Sequence, residues 1–179
     1  MAPTSCERSS PCSNSPRSLS DAVAVVLRSG GASDLRFLRD MLHHAYYWRE
    51  RNPGVGPGPV ALYVKGWGRR DDTAVIALVD GFQVGAAWYR LFKASQPGFG
   101  FVDERTPELA VAVVPSARGN GLGGALLDAL LDRARANEHP AISLCVDKDN
   151  SAAIHVYEQH GFVRVSEGDD SVTMVAEIG

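Results

Sequence analysis

Residues 113–134, VVPSARGNGLGGALLDALLDRA, close an apolar run with a proline, cross a glycine-rich loop and enter a segment with leucine and alanine at helical spacing. A glycine cluster at the start of a helix frees several main-chain N–H groups to converge on one point. The helix dipole adds partial positive charge at the same place. The ligand that suits such a point is a phosphate, and the flanking sequence has to say whose phosphate it is.

The segments on either side outline the fold. ELAVAVV (108–114) leads into the loop as a strand, and Leu122, Ala125, Leu126, Ala129 and Leu130 form a helical stripe after it. AISLCVD (141–147) follows, apolar enough to be a strand buried on both faces. Strand, helix and strand in this order imply a parallel pair joined by a right-handed crossover. Upstream, TAVIALV (73–79) and FQVGAAWYRLF (82–92) flank Asp80-Gly81, a dipeptide that fits a type I′ hairpin because both central residues need positive φ.

AVAVVLR (22–28) reads as a first strand, closed by SGGAS. Ser33 reads as the N-cap of an amphipathic helix, DLRFLRDMLHHAYYW, which NPGVGPGP (52–59) ends, and VALYVKGWG (60–68) reads as a short helix. Asn150 reads as the cap of SAAIHVYEQH (151–160), with Gly161 and Phe162 as its stop. FVRVSEGDDSVTMVAEI (162–178) reads as two strands around an acidic turn. The expectation is one α/β domain with a mixed, mostly antiparallel sheet flanked by helices and containing a splayed parallel strand pair.

Composition sets limits on this reading. With 179 residues, 45% of them hydrophobic and 22% charged, the chain supports one substantial core. The domain is expected over residues 21–179, after a Ser/Pro-rich leader, 1–20, expected to be disordered. A net charge of −3 and a pI near 5.9 offer no basic footprint, which argues against nucleic acid as a partner. The leader has no apolar signal-peptide core and no stretch is long enough to span a bilayer, so a cytoplasmic protein with no membrane partner is expected. Cys6, Cys12 and Cys145 are odd in number and suggest no disulfide framework, Cys145 reading as a small hydrophobe in its strand.

Three phosphate carriers compete for the loop. Gly119, Gly121 and Gly124 satisfy G-x-G-x-x-G, and Asp147 ends the next strand, as in a dinucleotide-binding unit. In that unit, however, the first glycine follows the strand almost at once, whereas here Pro115, Ser116, Ala117 and Arg118 intervene. Too little chain follows Asp147 for the second half of a doubly wound sheet. A Walker loop fails because no Lys-Ser or Lys-Thr follows the glycines.

The third carrier is a coenzyme A ester. RGNGLG (118–123) fits Q/R-x-x-G-x-G/A, and in this the chain resembles the GNAT superfamily of N-acetyltransferases. The resemblance extends over residues 22–178 and includes NSAAIHVYEQHGF, where Asn150, Tyr157, Glu158, Gly161 and Phe162 stand at the family's positions; the leader lies outside it. It implies acetyl-CoA as cosubstrate, no metal, and transfer of the acetyl group to an amine-bearing acceptor, a small molecule or a protein. Homodimers are common in the family, though nothing in these residues shows one.

Such a transfer needs the reactants held together, the carbonyl oxygen stabilised, a proton removed from nitrogen and one supplied to the leaving thiolate. The resemblance assigns the pyrophosphate to the main chain of Arg118, Gly119, Asn120, Gly121, Leu122, Gly123 and Gly124, and the pantetheine arm to that of Val111, Ala112 and Val113. The N–H of Val113 would polarise the thioester carbonyl. Tyr157 would be the general acid, protonated at neutral pH because a free phenol titrates near 10; its other reading is core packing beside Ile154. Asn150 would touch the cofactor, or only cap its helix.

Glu108 opens the strand before the loop and is the candidate base, taking the proton directly or through water, with Glu104 and Asp103 behind it. Its other reading is a solvated strand-end carboxylate. His43 and His44 are adjacent on a helix and point apart, so a metal site is not expected. Tyr46, Tyr47, Trp48, NPGVGPGP and QPGFGFVDERTP (96–107) are expected to wall the acceptor site. Two other functions stay open: an acyl-CoA-binding or sensing module without catalysis, and an NAD(P)-binding protein.

Overall fold

The computed structural model describes residues 24–46 and 59–178. Its strands are β1 (Val25–Gly30), β2 (Thr73–Val79), β3 (Phe82–Arg90), β4 (Glu108–Val113), β5 (Ala141–Asp147), β6 (Val163–Glu167) and β7 (Ser171–Glu177). Its helices are α1 (Leu35–Tyr46), α2 (Leu122–Ala136) and α3 (Ser151–Gln159). The seven strands make one sheet in the order β1-β2-β3-β4-β5-β7-β6, with β4 and β5 parallel and every other pairing antiparallel. The glycine loop's strand, β4, has an antiparallel neighbour in β3, and the β4–β5 pair is the one parallel pairing in the sheet, which removes the doubly wound sheet from consideration.

Alternation along the central strands feeds two cores. Val75, Ala77, Ala87 and Tyr89 face α2 and pack with Leu126, Leu127 and Leu130. Ala74, Ile76, Ala86 and Trp88 face the other way, onto Leu38, Met41 and Leu42 of α1 and onto Tyr63 and Trp67. Full burial of a leucine is worth roughly 1.5–3 kcal/mol, so the α2 stripe pins that helix, and with it the loop before it, against the sheet.

The hairpin between β2 and β3 turns through Asp80 and Gly81 at φ 50° and 83°, the type I′ geometry the dipeptide implied. Other local expectations are corrected. The first strand runs Val25–Gly30, further on than its sequence suggested. Ser33 does not cap α1: it lies inside a 3-10 turn, Ala32–Asp34, where the Asp34 carboxylate accepts the Gly31 N–H at 2.9 Å and pairs with Arg28 at 2.6 Å. An aspartate already salt-bridged holds the turn better than a serine hydroxyl. The expected short helix is a 3-10 turn, Pro59–Tyr63.

That turn is fastened from below. Arg90, fully buried, pairs with Asp72 at 2.7 Å and donates to the carbonyls of Leu62 and Lys65. A buried guanidinium needs such partners, and the carbonyls it selects flank Tyr63. The ring of Tyr63 is thereby held over the start of β4. Residues 1–23, Tyr47, Trp48 and residues 52–58 of the NPGVGPGP loop lie outside the described residues. No described helix is long and apolar enough to cross a membrane.

Candidate active site

The parallel pair opens at once. Glu108 and Ser143 are the only register partners of β4 and β5, joined by the Ser143 N–H bond to the Pro107 carbonyl at 2.9 Å, and beyond them the strands diverge. The other edge of β4 stays zipped to β3 from Glu108 to Val113. Val114 donates to the Val84 carbonyl at 2.8 Å, toward β3, and alternation along an extended strand then turns Val113 and Val111 toward the gap. Ala112 turns its main-chain groups to β3. Of the three residues expected to pair with a pantetheine arm, two therefore present main chain to the cleft; Ala112 offers only its side-chain surface, because its amide belongs to the sheet.

At the open end of β4 the chain makes a 3-10 turn, Pro115–Ala117, and enters the glycine loop. Gly119 and Gly121 have φ of 79° and 74°, left-handed values that cost residues with a Cβ about 1 kcal/mol or more. Gly121 is the N-cap of α2 and no side chain caps the helix. The main-chain N–H groups of Gly119, Asn120, Gly121, Leu122, Gly123 and Gly124 have no hydrogen-bond partner among the described residues. Six unpaired donors at the positive end of a 15-residue helix form an anion cradle. A Cβ added to Gly123, which lines the cavity, would meet no other atom.

The side chains of the loop behave differently from its amides. Arg118 turns back, donating from Nε to the Val113 carbonyl at 2.9 Å, which ties the loop to the end of β4. The Asn120 amide turns to the carbonyls of Ala117 and Arg118, away from the cavity.

On the β5 side, Asn150 caps α3, its Oδ1 accepting the Ala153 N–H at 3.2 Å. Gly161 at φ 84° stops the helix, and the Phe162 N–H returns to the Tyr157 carbonyl at 3.1 Å. The Phe162 ring lies 5.8 Å from that of Tyr157, fixing the tyrosine so that it faces the gap. Tyr157 is 9% exposed, and burial, with Cys145 nearby, pushes its phenol well above the usual range. It holds its proton at neutral pH.

A cavity of about 890 Å³ fills the gap. Leu109 to Val113 of β4, the loop residues Ala117, Arg118, Gly119 and Gly121 to Gly124, Asn150 and Tyr157 line it, as do Cys145 of β5 and His44, Tyr46 and Phe99. Tyr46 and Phe99, expected to wall the acceptor site, share one continuous space with the glycine loop.

Glu108 is neither solvated nor at the cavity wall. It is 1% exposed, and its Oε1 accepts the Tyr63 hydroxyl and the Gly100 N–H, the latter at 2.7 Å. Its Oε2 has no partner among the described residues. A Cβ on Gly98 would overlap that oxygen, so this glycine makes room for the carboxyl. Burial pushes Glu108 up to about 7, against the opposing pull of Tyr63 and Gly100. Asp103 and Glu104, the other base candidates, are spent within their loop, on the N–H groups of Arg105, Thr106 and Ala94. Tyr63 escaped the sequence reading because the segment around it shows no clear period.

An α/β domain with an uncapped helix N-terminus at one end of an opened parallel strand pair has the donors that suit a phosphate-bearing ligand. Residues 37–162 match the acetyltransferase (GNAT) family, and the chain belongs to it. Members of this family draw their acetyl group from acetyl-CoA, and the free amides, the open β4 edge and the space before Gly123 fit that molecule.

A mycothiol acetyltransferase of Gordonia bronchialis is 31% identical over 158 residues, covering 80% of this chain and 44% of that protein. The chain thus spans less than half the length of that relative. An acetyltransferase of Salmonella typhimurium solved with acetyl-CoA superposes with a TM-score of 0.65 at 20% identity, covering 87% of this chain and 95% of that one. An N-acetyltransferase of Thermoplasma acidophilum in complex with coenzyme A gives 0.61 at 14% identity, covering 86% and 99%. These structural likenesses establish the shared fold.

Proposed function

We propose that this domain transfers the acetyl group of acetyl-CoA to a primary amine. The observation that carries the proposal is the run of six unpaired amides, Gly119 to Gly124, all but Asn120 from residues that line the cavity shared with Tyr157 and β4. The amides would grip the diphosphate, and Val111 and Val113 would hold the amide-bearing arm by main-chain hydrogen bonds. The N–H of Val113 would donate to the thioester carbonyl oxygen as charge develops on it. Tyr157 would give its proton to the departing sulfur. Glu108, poised at about 7, would be the final acceptor of the amine proton. Asn150 would add a cofactor contact to its capping role.

For the acceptor, the relative from Gordonia bronchialis favours mycothiol lacking its acetyl group, ahead of polyamines and N-terminal peptides. Tyr46 and Phe99, which line the cavity, would border it. The test is release of free thiol from acetyl-CoA with a panel of those three amine classes, beside calorimetry with coenzyme A and with NAD. Thiol release dependent on amine is expected. Binding of coenzyme A without transfer to any amine would leave a sensing module, and binding of NAD alone would end the proposal.

A further inference from the structure

Glu108 is closed off from the cavity by two tyrosines, Tyr63, which is hydrogen-bonded to it, and Tyr46, whose ring packs on that of Tyr63. The Tyr63 hydroxyl bonds Glu108 Oε1 and accepts the Phe99 N–H at 3.0 Å, and the Tyr46 hydroxyl lies close enough to interact with it. The rings of Tyr46 and Tyr63 lie 5.1 Å apart, and Tyr46 lines the cavity. The donor directions are forced. A carboxylate only accepts, so the single Tyr63 proton points to Glu108; Tyr46 must then donate to Tyr63, which leaves the Tyr46 oxygen with lone pairs to accept.

We propose that Tyr46 and Tyr63 form a proton relay that carries the acceptor amine's proton from the cavity to Glu108. This rests on the acetyltransferase reading above. As the N–C bond forms and the C–S bond breaks, the amine proton passes to the Tyr46 oxygen. The Tyr46 proton moves to Tyr63, and that of Tyr63 moves to Glu108 Oε1. Both phenols end neutral and one proton has moved from nitrogen to carboxylate; the sulfur takes its proton from Tyr157. Burial holds both relay phenols above their usual range, so neither is ionised at rest.

Among the described residues no cation is hydrogen-bonded to Glu108. Arg90 of β3 stands in register with Glu108 but is committed to Asp72 and to the carbonyls of Leu62 and Lys65. Ser143 of β5 is neutral, and burial raises the Cys145 thiol, which stays protonated. Asp103 and Glu104 are bonded within their loop. Tyr46 and Tyr63 are, among the described residues, the titratable groups left facing Glu108 from α1 and the 3-10 turn.

Tyr46→Phe and Tyr63→Phe test the relay, assayed over pH with acetyl-CoA and the most reactive amine of the panel, with coenzyme A calorimetry as the check on folding. Both variants are expected to bind coenzyme A within twofold of wild type and to lose kcat by about tenfold or more. In Tyr63→Phe the acidic limb of the rate profile moves to higher pH, because the bond that favoured the Glu108 carboxylate is gone. In Tyr46→Phe the limb stays in place while the rate falls, a split that a purely structural role does not produce. Tyr46→Phe with wild-type kcat overturns the relay and leaves the acetyltransferase reading intact. A wild-type chain that binds coenzyme A but acetylates no amine overturns both. Should Tyr63→Phe fail to bind coenzyme A, Tyr46→Phe, altered at a half-buried position, decides alone.

Discussion

Arg90 stands directly across from Glu108 on the neighbouring strand, yet the two do not pair. The guanidinium turns instead to Asp72, 2.7 Å away, and leaves the carboxyl buried without a counter-charge. The same commitment fastens the turn carrying Tyr63, so one side chain both positions the relay and withholds the cation that would have made Glu108 an ordinary, fully ionised carboxylate.

Stability should register that arrangement. Glu108 titrates at about 7 in the folded chain against an ordinary 4.5, so between those values the native state holds a proton that the unfolded chain releases. Stability therefore falls as pH rises from about 4.5 through about 7, by about 3 kcal/mol in all. Glu108→Gln carries no such charge. Relative to wild type, its stability against urea should rise by up to that amount between pH 4 and pH 8, and a difference that does not vary with pH would refute the buried titration.

Activity should follow the same group with the opposite slope. The base must be ionised to accept a proton, so kcat/KM is expected to rise as pH climbs through about 7. Glu108→Gln should flatten that limb and lower kcat by on the order of 10²-fold, with the affinity for coenzyme A unchanged. A preserved limb would move the base elsewhere.

The glycines of the loop divide into two kinds, which alanine substitution separates. Gly121→Ala puts a Cβ on a left-handed residue and should cost about 1–2 kcal/mol in urea unfolding. Gly123→Ala lies inside α2 with open space around its Cβ, and should stabilise the free chain by about 0.5–1 kcal/mol while weakening coenzyme A in calorimetry. A Gly123→Ala chain that binds coenzyme A as tightly as wild type would mean the cradle is not where the diphosphate sits.

Tyr157→Phe keeps the ring against Phe162 and removes only the hydroxyl. Urea stability should change little, whereas amine-dependent thiol release should slow by about 10²-fold. Near-normal turnover would leave Tyr157 a packing residue.

Asn150→Ala should lose about 1 kcal/mol through the missing cap on the Ala153 N–H. A fall in coenzyme A affinity at a temperature where both chains remain folded would add the cofactor contact; unchanged affinity would confine Asn150 to the cap.

The glycine loop, its helix and the Asp80-Gly81 hairpin were legible because each depends on local backbone rules: left-handed positions need glycine, and apolar spacing of 3.6 or 2 residues sets helix or strand. Glu108 was legible as a position and misleading as an environment, since a carboxylate at the start of a strand looks solvated until the loop of Gly98 and Gly100 folds over it. Tyr63 could not be found in the sequence. Its segment shows no clear period, and its role arises from contacts with residues 36 and 45 positions away. The opening between β4 and β5, the commitment of Arg90 and the tyrosine chain to Glu108 are decided by long-range packing, where distant segments compete for the same few buried partners and no local pattern records the outcome.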